Sequence, residues 1–524
     1  MRSLPSPRIV LTTALLALAA CNEHPLKDVE LSRTAQTDIE VDIAPLRSVD
    51  ILFVIDNSGS MAAEQANLAA NLAPMIALLE QEEVSADYRI AVTTTDVADG
   101  ACSSTGPEDG NFVASSCLSR LEQFQTLPGY EPAEDARDSA CTSLCPEGLE
   151  DLRLLPTTTQ SDSNPTPRPW IENIVGNTNL PEGVSTEQAF ACMGPQGIDG
   201  CGVEAPLRAM QRALTRAGAS SEDEFGFLRD DAILLVVFVT DEADCSASGA
   251  FPRELLADGN SAGCWDAGVK CSALPDGTLD CVSANVDLDG NEVGPDAAVL
   301  RPVEEYVAFL EALQEEKRAA SGIADLDVMV SVVAGVPTGY PNAPIVYDRQ
   351  TPYTDEYGID AGCQSVFGDA VPPVRLLELA EAFAPEMGTN VSSVCAESYR
   401  PALEEVARQL IARFEPACVD TCLAGGRGED CVFTQEIPGG GKEAVPQCDV
   451  GQDGSPALPD GVDTCVFVAV DEDRAEDCVR SRAGAEFRPL FRAGVPRIPG
   501  TEISATCSVS DNEAVDCPWI AEGA

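Results

Sequence analysis

The sequence predicts an α/β protein built on a doubly wound, mostly parallel sheet. Two nearly unbroken apolar runs, at 49–55 and 232–239, are typical of strands that are buried on both faces. Between and after these runs, apolar residues recur with the spacing of amphipathic helices. Strands that alternate with such helices along one chain form a parallel sheet with helices packed on its faces.

The predicted elements follow one another between residues 48 and 414. Pro74 interrupts the first helical pattern, so it should either kink that helix or end its first segment. Strands are predicted at 49–55, 88–94, 232–239 and 326–333, and helices at 68–79, 204–216, 304–317 and 399–414.

Three segments without periodicity interrupt this scaffold, and all three are rich in Pro, Gly, Asp and Cys. Loops of this length are uncommon unless they are functional or cross-linked. We therefore expect one α/β domain at 48–414 that carries insertions at about 97–190, 246–300 and 336–372.

The end of the chain has a different composition. Residues 415–524 contain eight cysteines, a glycine-rich turn at 438–441 and one clear strand at 466–470. Small modules with little apolar core commonly depend on disulfides. We expect a small, β-rich, disulfide-stabilised C-terminal module here.

The cysteine count indicates a disulfide framework. The chain has 21 cysteines, and without Cys21 twelve lie between Cys102 and Cys395 and eight between Cys418 and Cys517. Even numbers in both parts of an exported chain predict about ten bridges that close within each part. Two Cys-x3-Cys spacings, at 141–145 and 418–422, would also suit zinc, but the disulfide interpretation is favoured in an oxidising compartment. The pairing cannot be read from the sequence.

The N-terminus has the pattern of an export signal. Two arginines precede a short apolar run at 9–20, which is too short to span a bilayer comfortably and predicts a signal peptide over residues 1–20. The sequence Leu-Ala-Ala-Cys at 18–21 resembles a bacterial lipobox, which implies that Cys21 is lipidated; an ordinary cleavage site beside a chance cysteine is the alternative. Residues 21–47 are expected to be a lipid-anchored tether or a first edge segment.

The lipid anchor would be the chain's only membrane contact, because no other apolar stretch is long enough to cross a bilayer. Asn22 follows the cysteine instead of the Asp of an inner-membrane retention signal. We therefore expect an outer-membrane lipoprotein of the bacterial envelope, facing either the periplasm or the medium.

Composition excludes several classes of function. The formal net charge of −55 disfavours nucleic acid and anionic lipid as partners. His24 is the single histidine and lies just beyond the leader, so a Ser-His-Asp triad, a Cys-His dyad or a multi-histidine zinc site is excluded. We do not expect an enzyme, because Ser58 has no histidine base and Lys270 and Lys317 have no evident link to it.

Oxygen-bearing side chains follow two of the predicted strands. The sequence Asp-Asn-Ser-Gly-Ser begins at Asp56, where the first strand ends, and Asp241 follows the strongest strand. Ligands of parallel α/β sheets bind beyond the carboxyl ends of the strands. Carboxylate and hydroxyl oxygens suit a hard cation such as Mg²⁺. Helix N-capping by Asp56, Ser58 or Ser60 is the alternative explanation.

The Asp-x-Ser-Gly-Ser turn after an apolar strand, together with a distant Thr-Asp at 240–241, resembles the von Willebrand factor A family. The resemblance covers residues 48–414 without the insertions and implies a Rossmann-like sheet with a metal-ion-dependent adhesion site. It implies that Asp56, Ser58, Ser60 and Asp241 hold Mg²⁺, or Ca²⁺ or Mn²⁺, and that a ligand carboxylate completes the coordination.

The chain departs from the family pattern at two places. The family's threonine before the second long helix is absent from Gly-Cys-Gly-Val-Glu at 200–204, so Glu204 contributes instead, a water fills the position, or the site is weakened; Thr94 and Thr95 are less favoured substitutes. The family's Thr-Asp-Gly reads Thr-Asp-Glu, and the charges of Glu242 and Asp244 would favour Ca²⁺ or raise the affinity for divalent ions generally.

These observations predict a lipoprotein that binds an acidic group of a protein or glycan through a divalent cation. A structural or assembly factor of the envelope with a purely structural metal is the alternative. A second acidic stretch, from Asn285 to Asp296, is similar to a calcium loop, but an Asp-Gly turn is the favoured interpretation.

Overall fold

The structure is a computed structural model. It describes residues 38–522 apart from 44–47, 82–83, 99–101, 103–105, 127–133, 175, 250–251, 253–260, 324–325, 367, 386–387, 415–416, 438–439, 452–454, 471–473, 475–477, 480 and 493–500. The predicted signal peptide, Cys21 and His24 lie outside the described residues. Within them, no helix combines the length and the apolar character needed to cross a membrane.

The strands are numbered here in chain order: β1 (Asp38–Ile43), β2 (Ser48–Ile55), β3 (Asp87–Thr94), β4 (Ile171–Ile174), β5 (Asn177–Thr178), β6 (Ile233–Val239), β7 (Val269–Ala273), β8 (Leu279–Ser283), β9 (Val328–Ala334), β10 (Cys363–Gln364), β11 (Asp369–Ala370), β12 (Val391–Ser393), β13 (Ala417–Val419), β14 (Val432–Glu436), β15 (Lys442–Val445), β16 (Asp449–Val450), β17 (Pro456–Ala457), β18 (Thr464–Ala469), β19 (Ala485–Phe491) and β20 (Glu502–Ser508).

The α-helices are numbered in the same way: α1 (Ala62–Asn71), α2 (Ala73–Leu79), α3 (Thr186–Met193), α4 (Pro206–Ala217), α5 (Ala262–Gly268), α6 (Val303–Ser321), α7 (Tyr353–Tyr357), α8 (Val374–Ala382), α9 (Arg400–Ile411), α10 (Glu513–Asp516) and α11 (Pro518–Glu522).

A seven-stranded sheet in the order β12-β9-β6-β2-β3-β4-β5 forms the centre of the molecule. Its neighbours from β12 to β3 are parallel, whereas β4 pairs antiparallel with β3 and β5 antiparallel with β4. The predicted α/β class is confirmed, and the sheet is only partly parallel. The antiparallel strands come from the first insertion, whose short strands carry no distinct apolar run.

Both faces of this sheet are covered by helices, as the continuous apolar strands require. Side chains of β2 alternate between the two cores: Phe53 lies in the core with α1, α2, α3 and α9, and Leu52 in the core with α4, α6 and α8. Strand β6 is buried along its whole length, which explains its unbroken apolar sequence.

Most predicted elements of the scaffold match the structure within a few residues. The four predicted strands are β2, β3, β6 and β9, and the four predicted helical segments are α1 with α2, α4, α6 and α9. The first helix ends at Asn71, and Pro74 lies in the first turn of α2, where a missing N–H is tolerated. Glu204 precedes α4, which begins at Pro206.

Ten disulfides confirm the predicted framework. Six close within 102–395 and four within 418–517, so each part pairs its own cysteines. The four cysteines that could have held zinc, at 141, 145, 418 and 422, all form disulfides with other cysteines. The zinc alternative is therefore wrong. The pairs are Cys102–Cys201, Cys117–Cys141, Cys145–Cys192, Cys245–Cys264, Cys271–Cys281, Cys363–Cys395, Cys418–Cys478, Cys422–Cys517, Cys431–Cys507 and Cys448–Cys465.

The C-terminal part contains two main sheets, β1-β20-β14-β15 and β13-β19-β18. Its apolar core includes Phe433 and Phe487, whose rings meet edge to face at 5.2 Å between centroids. Strand β1 pairs antiparallel with β20, and Ile43 joins this core. Residues 38–43, within the segment expected to be a tether or a first edge segment, form an edge strand of this C-terminal sheet, and Ile39, Val41 and Ile43 pack against its core.

Candidate functional site

The carboxyl ends of β2 and β6 place Asp56 and Asp241 at the same edge of the central sheet. The two strands are paired in parallel up to Ile55 and Val239, and the amide of Asp56 donates a 2.9 Å hydrogen bond to the Val239 carbonyl. The turns that follow both strands therefore begin side by side. This edge is where parallel α/β sheets bind their ligands.

The carboxylate of Asp56 is fully buried and is oriented by two hydrogen bonds. Its Oδ1 accepts from the Ser58 amide at 2.8 Å, and its Oδ2 accepts from the Thr240 hydroxyl at 2.5 Å. The hydroxyls of Ser58 and Ser60 lie 3.1 Å apart. Neither the short helix at Gly59–Met61 nor α1 receives a side-chain cap, so N-capping does not account for these residues.

Asp241 begins the turn after β6 and also carries a buried carboxyl. Only 5% of the residue is exposed, and its Oδ1 has no hydrogen-bond partner among the described residues. The side chain of Ser60 partly opposes the increase that burial causes in the pKa of the Asp241 carboxyl. The Asp241 carbonyl accepts from the Val371 amide at 2.7 Å, which attaches the third insertion to the site.

Glu204 reaches this edge from the loop before α4. The amide of Thr95 bonds to the Ile55 carbonyl at 3.2 Å, and the amide of Ala205 bonds to the Thr95 carbonyl at 3.1 Å. Glu204 is 1% exposed; its Oε2 accepts from the Thr95 hydroxyl, and its Oε1 has no partner among the described residues. Thr94 instead donates to Glu108 at 2.6 Å.

Gln65 links the Asp56 turn to residues 196–197, a role that the sequence did not reveal. Its side-chain amide donates to the Asp56 carbonyl at 2.7 Å and to the Gly197 carbonyl at 2.6 Å. Its Oε1 accepts from the amides of Gln196 and Gly197 at 2.7 and 3.0 Å. Gln65 therefore fixes the segment between α3 and α4, which follows the first insertion, to the Asp56 turn. A single glutamine within a helix carries no sequence signal for such a role.

Burial and mutual repulsion shift the ionisation of these carboxyls. Burial raises the pKa of Asp56, and burial followed by the charge of Asp56 raises the pKa of Glu204 and Asp241 well above the usual range. The same two causes raise the pKa of Glu242 to about 8. Among the described residues, no Lys or Arg forms an ion pair with any of these four carboxyls.

Asp244 does not add to this uncompensated charge, contrary to the expectation from sequence. Its carboxylate pairs with the buried guanidinium of Arg375 at 2.9 Å and accepts from the Ser246 hydroxyl at 2.6 Å. Asp244 therefore has a structural role, because its charge is neutralised within the fold.

The donor atoms are of the kind that a hard cation prefers, but the carboxylate oxygens of Asp56, Glu204 and Asp241 do not all lie within 4.8 Å of one another among the described residues. Buried carboxylate oxygens without a donor are costly, and a cation would remove that cost. Asp56, Ser58, Ser60, Asp241 and Glu204 are the residues that could hold it.

Other groups are less suited. Asp96 lies near Cys102 and Cys201, but these two cysteines form a disulfide, so the cluster is not a thiolate site. In the stretch from Asn285 to Asp296, the Asp287 carboxylate accepts from the amides of Asp289 and Asn291 at 3.0 and 2.8 Å, which is the geometry of an exposed Asp-Gly turn.

Lys270 and Lys317, the two lysines considered as bases for Ser58, both make their contacts with other residues. Lys317 is buried 3.9 Å from Asp50, toward the opposite end of β2, and Lys270 donates to the Gly290 carbonyl at 2.7 Å.

Comparisons with known proteins give no family for this chain. No family model matches it, and no curated protein matches it. Among solved structures, the pilus adhesin SpaC from Lactobacillus rhamnosus GG matches in an open conformation and in a second form. The identities are 9% and 10%, the TM-scores 0.27 and 0.26, and the alignments cover 91% of this chain but only 41% and 42% of that adhesin. This chain thus spans about two-fifths of that adhesin, and TM-scores this low define no common fold.

Proposed function

We propose that this chain is an envelope lipoprotein, anchored through Cys21 in the outer membrane, that binds an acidic group of a protein or glycan. The binding domain would be von Willebrand A-like, and a divalent cation, Mg²⁺ or alternatively Ca²⁺ or Mn²⁺, would join the chain to its ligand. One observation carries the proposal: Asp241 and Glu204 each bury an unpartnered carboxylate oxygen at the edge where Asp56 lies.

Some residues of the site would bind the cation, and others hold these ligands in position. Asp56, Ser58, Ser60, Asp241 and Glu204 would offer oxygens to the cation. Thr240 orients the Asp56 carboxylate, Thr95 orients Glu204, and Gln65 holds the Asp56 turn. A bound cation would supply the positive charge that attracts a ligand carboxylate.

The charge of the chain explains why a cation would be needed. A surface with a net charge of −55 repels acidic ligands, and the repulsion is strongest near uncompensated carboxylates. A divalent cation at this edge would reverse the sign of the local field. The bridge would be coordination, not catalysis, which agrees with the absence of histidine from residues 38–522.

The insertions would form the rim that selects the ligand. Cys102–Cys201 ties the first insertion to the loop of Glu204, and Cys245–Cys264 closes the start of the second insertion just beyond Asp244. A rim already ordered by disulfides loses less conformational entropy on binding. Ten disulfides also suit the oxidising compartments outside the cytoplasm.

Isothermal titration of the native chain and Asp56→Ala with Mg²⁺, Mn²⁺ and Ca²⁺ tests the proposal. We expect binding at one site in the native chain, none in Asp56→Ala, and unchanged binding in the control Asp287→Ala, which alters an exposed turn. Equal heats in native and Asp56→Ala would contradict a cation site at this edge.

The alternative is an assembly factor in which the metal has only a structural role. Chelation separates the two functions when combined with circular dichroism and binding to arrays of acidic glycans and peptides. Loss of array binding with an intact fold supports adhesion. Cooperative unfolding on addition of chelator would support the structural role.

A further inference from the structure

A groove of about 630 Å³ runs along one face of α1. Its walls are the segment 134–139 of the first insertion and Glu397, which lies in the loop after β12. We propose that this groove binds a basic segment of a partner protein. The inference does not rest on the cation, because it concerns a different surface and a ligand of the opposite charge.

The floor of the groove consists of small apolar side chains. On α1 these are Ala62, Ala63, Ala66 and Ala70. Alanines allow a second chain to approach the helix closely, and their methyl groups can cover the aliphatic part of a ligand side chain. The volume lies within the range of about 300–1,000 Å³ that is usual for ligand clefts. The floor therefore suits a ligand with aliphatic groups.

The wall that contains Glu397 is attached directly to α1. The Asn67 side-chain amide donates to the Ala396 carbonyl at 3.0 Å, and the Ser398 hydroxyl donates to the Asn71 side-chain oxygen at 2.7 Å. Two asparagines one helical turn apart thus hold the residues on both sides of Glu397.

The opposite wall is fixed as well. The Thr126 amide donates to the Glu134 carbonyl at 3.2 Å, and the Glu134 amide donates to the Thr126 hydroxyl at 3.0 Å. The disulfide Cys117–Cys141 fixes the chain just beyond this wall. A groove whose walls are already ordered loses less conformational entropy when a ligand binds.

Two carboxylates at the groove give it an uncompensated negative charge. Asp135 pairs with Arg137 at 2.6 Å and is neutralised. Glu134 and Glu397 are exposed, and neither forms an ion pair with a Lys or Arg in the described part of the chain. An ionised carboxylate only accepts hydrogen bonds, so a complementary ligand must donate them and carry positive charge.

A basic protein segment matches both the floor and the walls. Arg and Lys carry a charged head on an aliphatic stem, which can lie on the alanines while the head reaches a carboxylate. The helix from Ala62 to Asn71 is about 14 Å long, which equals about four residues of extended chain. Alternate side chains of an extended chain point to the same side, so basic residues at every second position would face the groove.

The charges are tested with a fluorescent peptide of alternating Arg and Ala, about six residues long. Its anisotropy is followed on titration with the full chain in chelator and about 0.15 M salt. We expect Glu134→Gln combined with Glu397→Gln to weaken binding about fivefold. The control, Asp289→Asn with Glu292→Gln, removes two exposed carboxylates elsewhere and should leave the affinity unchanged. An equal loss in both double variants would reduce the interaction to net charge and overturn the inference.

The shape of the groove is tested by filling it without altering any charge. Ala70→Phe should weaken peptide binding about fivefold, whereas Ala273→Phe, at an exposed alanine of β7, should not. Circular dichroism establishes that both variants are folded. Undiminished binding by Ala70→Phe, or no binding by the native chain, would contradict the inference.

Spermidine provides the remaining comparison, since it carries charge and methylenes but no peptide backbone. We expect it to displace the peptide at least tenfold less effectively than the unlabelled peptide does. Equal displacement would assign the groove to small polyamines and overturn the assignment to a protein segment. All these measurements are made in chelator, so their failure would leave the proposed cation site untouched.

Discussion

The hydroxyl of Thr240 donates a 2.5 Å hydrogen bond to the buried carboxylate of Asp56, which lies 184 residues earlier in the chain. This bond connects the turn after β2 to the turn after β6 at their side chains, in addition to the backbone bond between Asp56 and Val239. Asp241, the next residue, is also buried, and the charge of Asp56 raises its pKa after burial itself. The candidate site therefore depends on the parallel pairing of two strands that are distant in sequence.

Replacing Thr240 with Val should destabilise the protein by about 1–3 kcal/mol, because a buried carboxylate oxygen loses its donor. Cation affinity should fall too, since Asp56 would lose its orientation. Urea unfolding and calorimetric titration measure the two effects. Thr240→Ser keeps the hydroxyl and should retain most of both properties, and an equal loss in both variants would contradict the role given to the hydrogen bond.

Glu64 should make the cation-free protein less stable as the pH rises. Burial and, to a smaller extent, the charge of Asp56 raise its pKa to about 7 from a model-peptide value of 4.5, although a backbone hydrogen bond opposes part of this increase. Between these values the unfolded chain releases the proton while the folded chain keeps it, so stability falls from about pH 4.5 and the loss is complete above about pH 7.

Glu64→Gln should therefore gain stability relative to the native chain by up to roughly 3 kcal/mol between pH 4.5 and pH 8, in chelator. Urea unfolding of both proteins at the two pH values gives the difference. A constant difference between native and variant across this range would show that Glu64 ionises normally in the fold.

Asp50 should matter for stability and not for the cation. It is fully buried, pairs with Arg229 at 2.8 Å and lies 3.9 Å from Lys317, toward the end of β2 opposite to Asp56. Asp50→Ala leaves two buried cations without their partner and should cost about 3–5 kcal/mol. The exposed pair of Asp135 and Arg137 provides the control, and Asp135→Ala should cost less than about 1 kcal/mol. If Asp50→Ala costs less than about 1 kcal/mol as well, the argument for a buried ion pair is contradicted.

Lipidation at Cys21 is independent of the cation site. Cells that produce the native chain should incorporate a labelled palmitate analogue into it and retain it in the membrane fraction, whereas Cys21→Ser should remain unlabelled and be released. An unlabelled native chain would leave ordinary cleavage as the explanation of the leader.

The scaffold could be predicted from sequence where consecutive residues of a strand are all buried, because all of them are then apolar. Strand β6 is buried at every position and β2 at nearly every position, so both appear as apolar runs. The helix α8 and the strands β4 and β12 did not stand out, because short elements carry too few periods to be recognised. Strand β1 lies in the segment predicted to be a tether or a first edge segment, and its pairing with β20, at the other end of the chain, leaves no local pattern.

The site was predictable only in part, for a related reason. Asp56, Ser58 and Ser60 are near neighbours in sequence, and their spacing within one turn is informative. The position of Glu204 depends on Thr95, which lies 109 residues away, and Gln65 acts on a loop more than 130 residues distant. Such contacts are set by tertiary packing and leave no local pattern.

The most direct test of the cation site is a crystal structure of the chain soaked in Mn²⁺, with anomalous diffraction recorded at the manganese edge. We expect one strong anomalous peak bounded by the side-chain oxygens of Asp56, Ser58, Ser60, Asp241 and Glu204. Anomalous peaks elsewhere on the acidic surface and none between Asp56 and Asp241 would contradict the account.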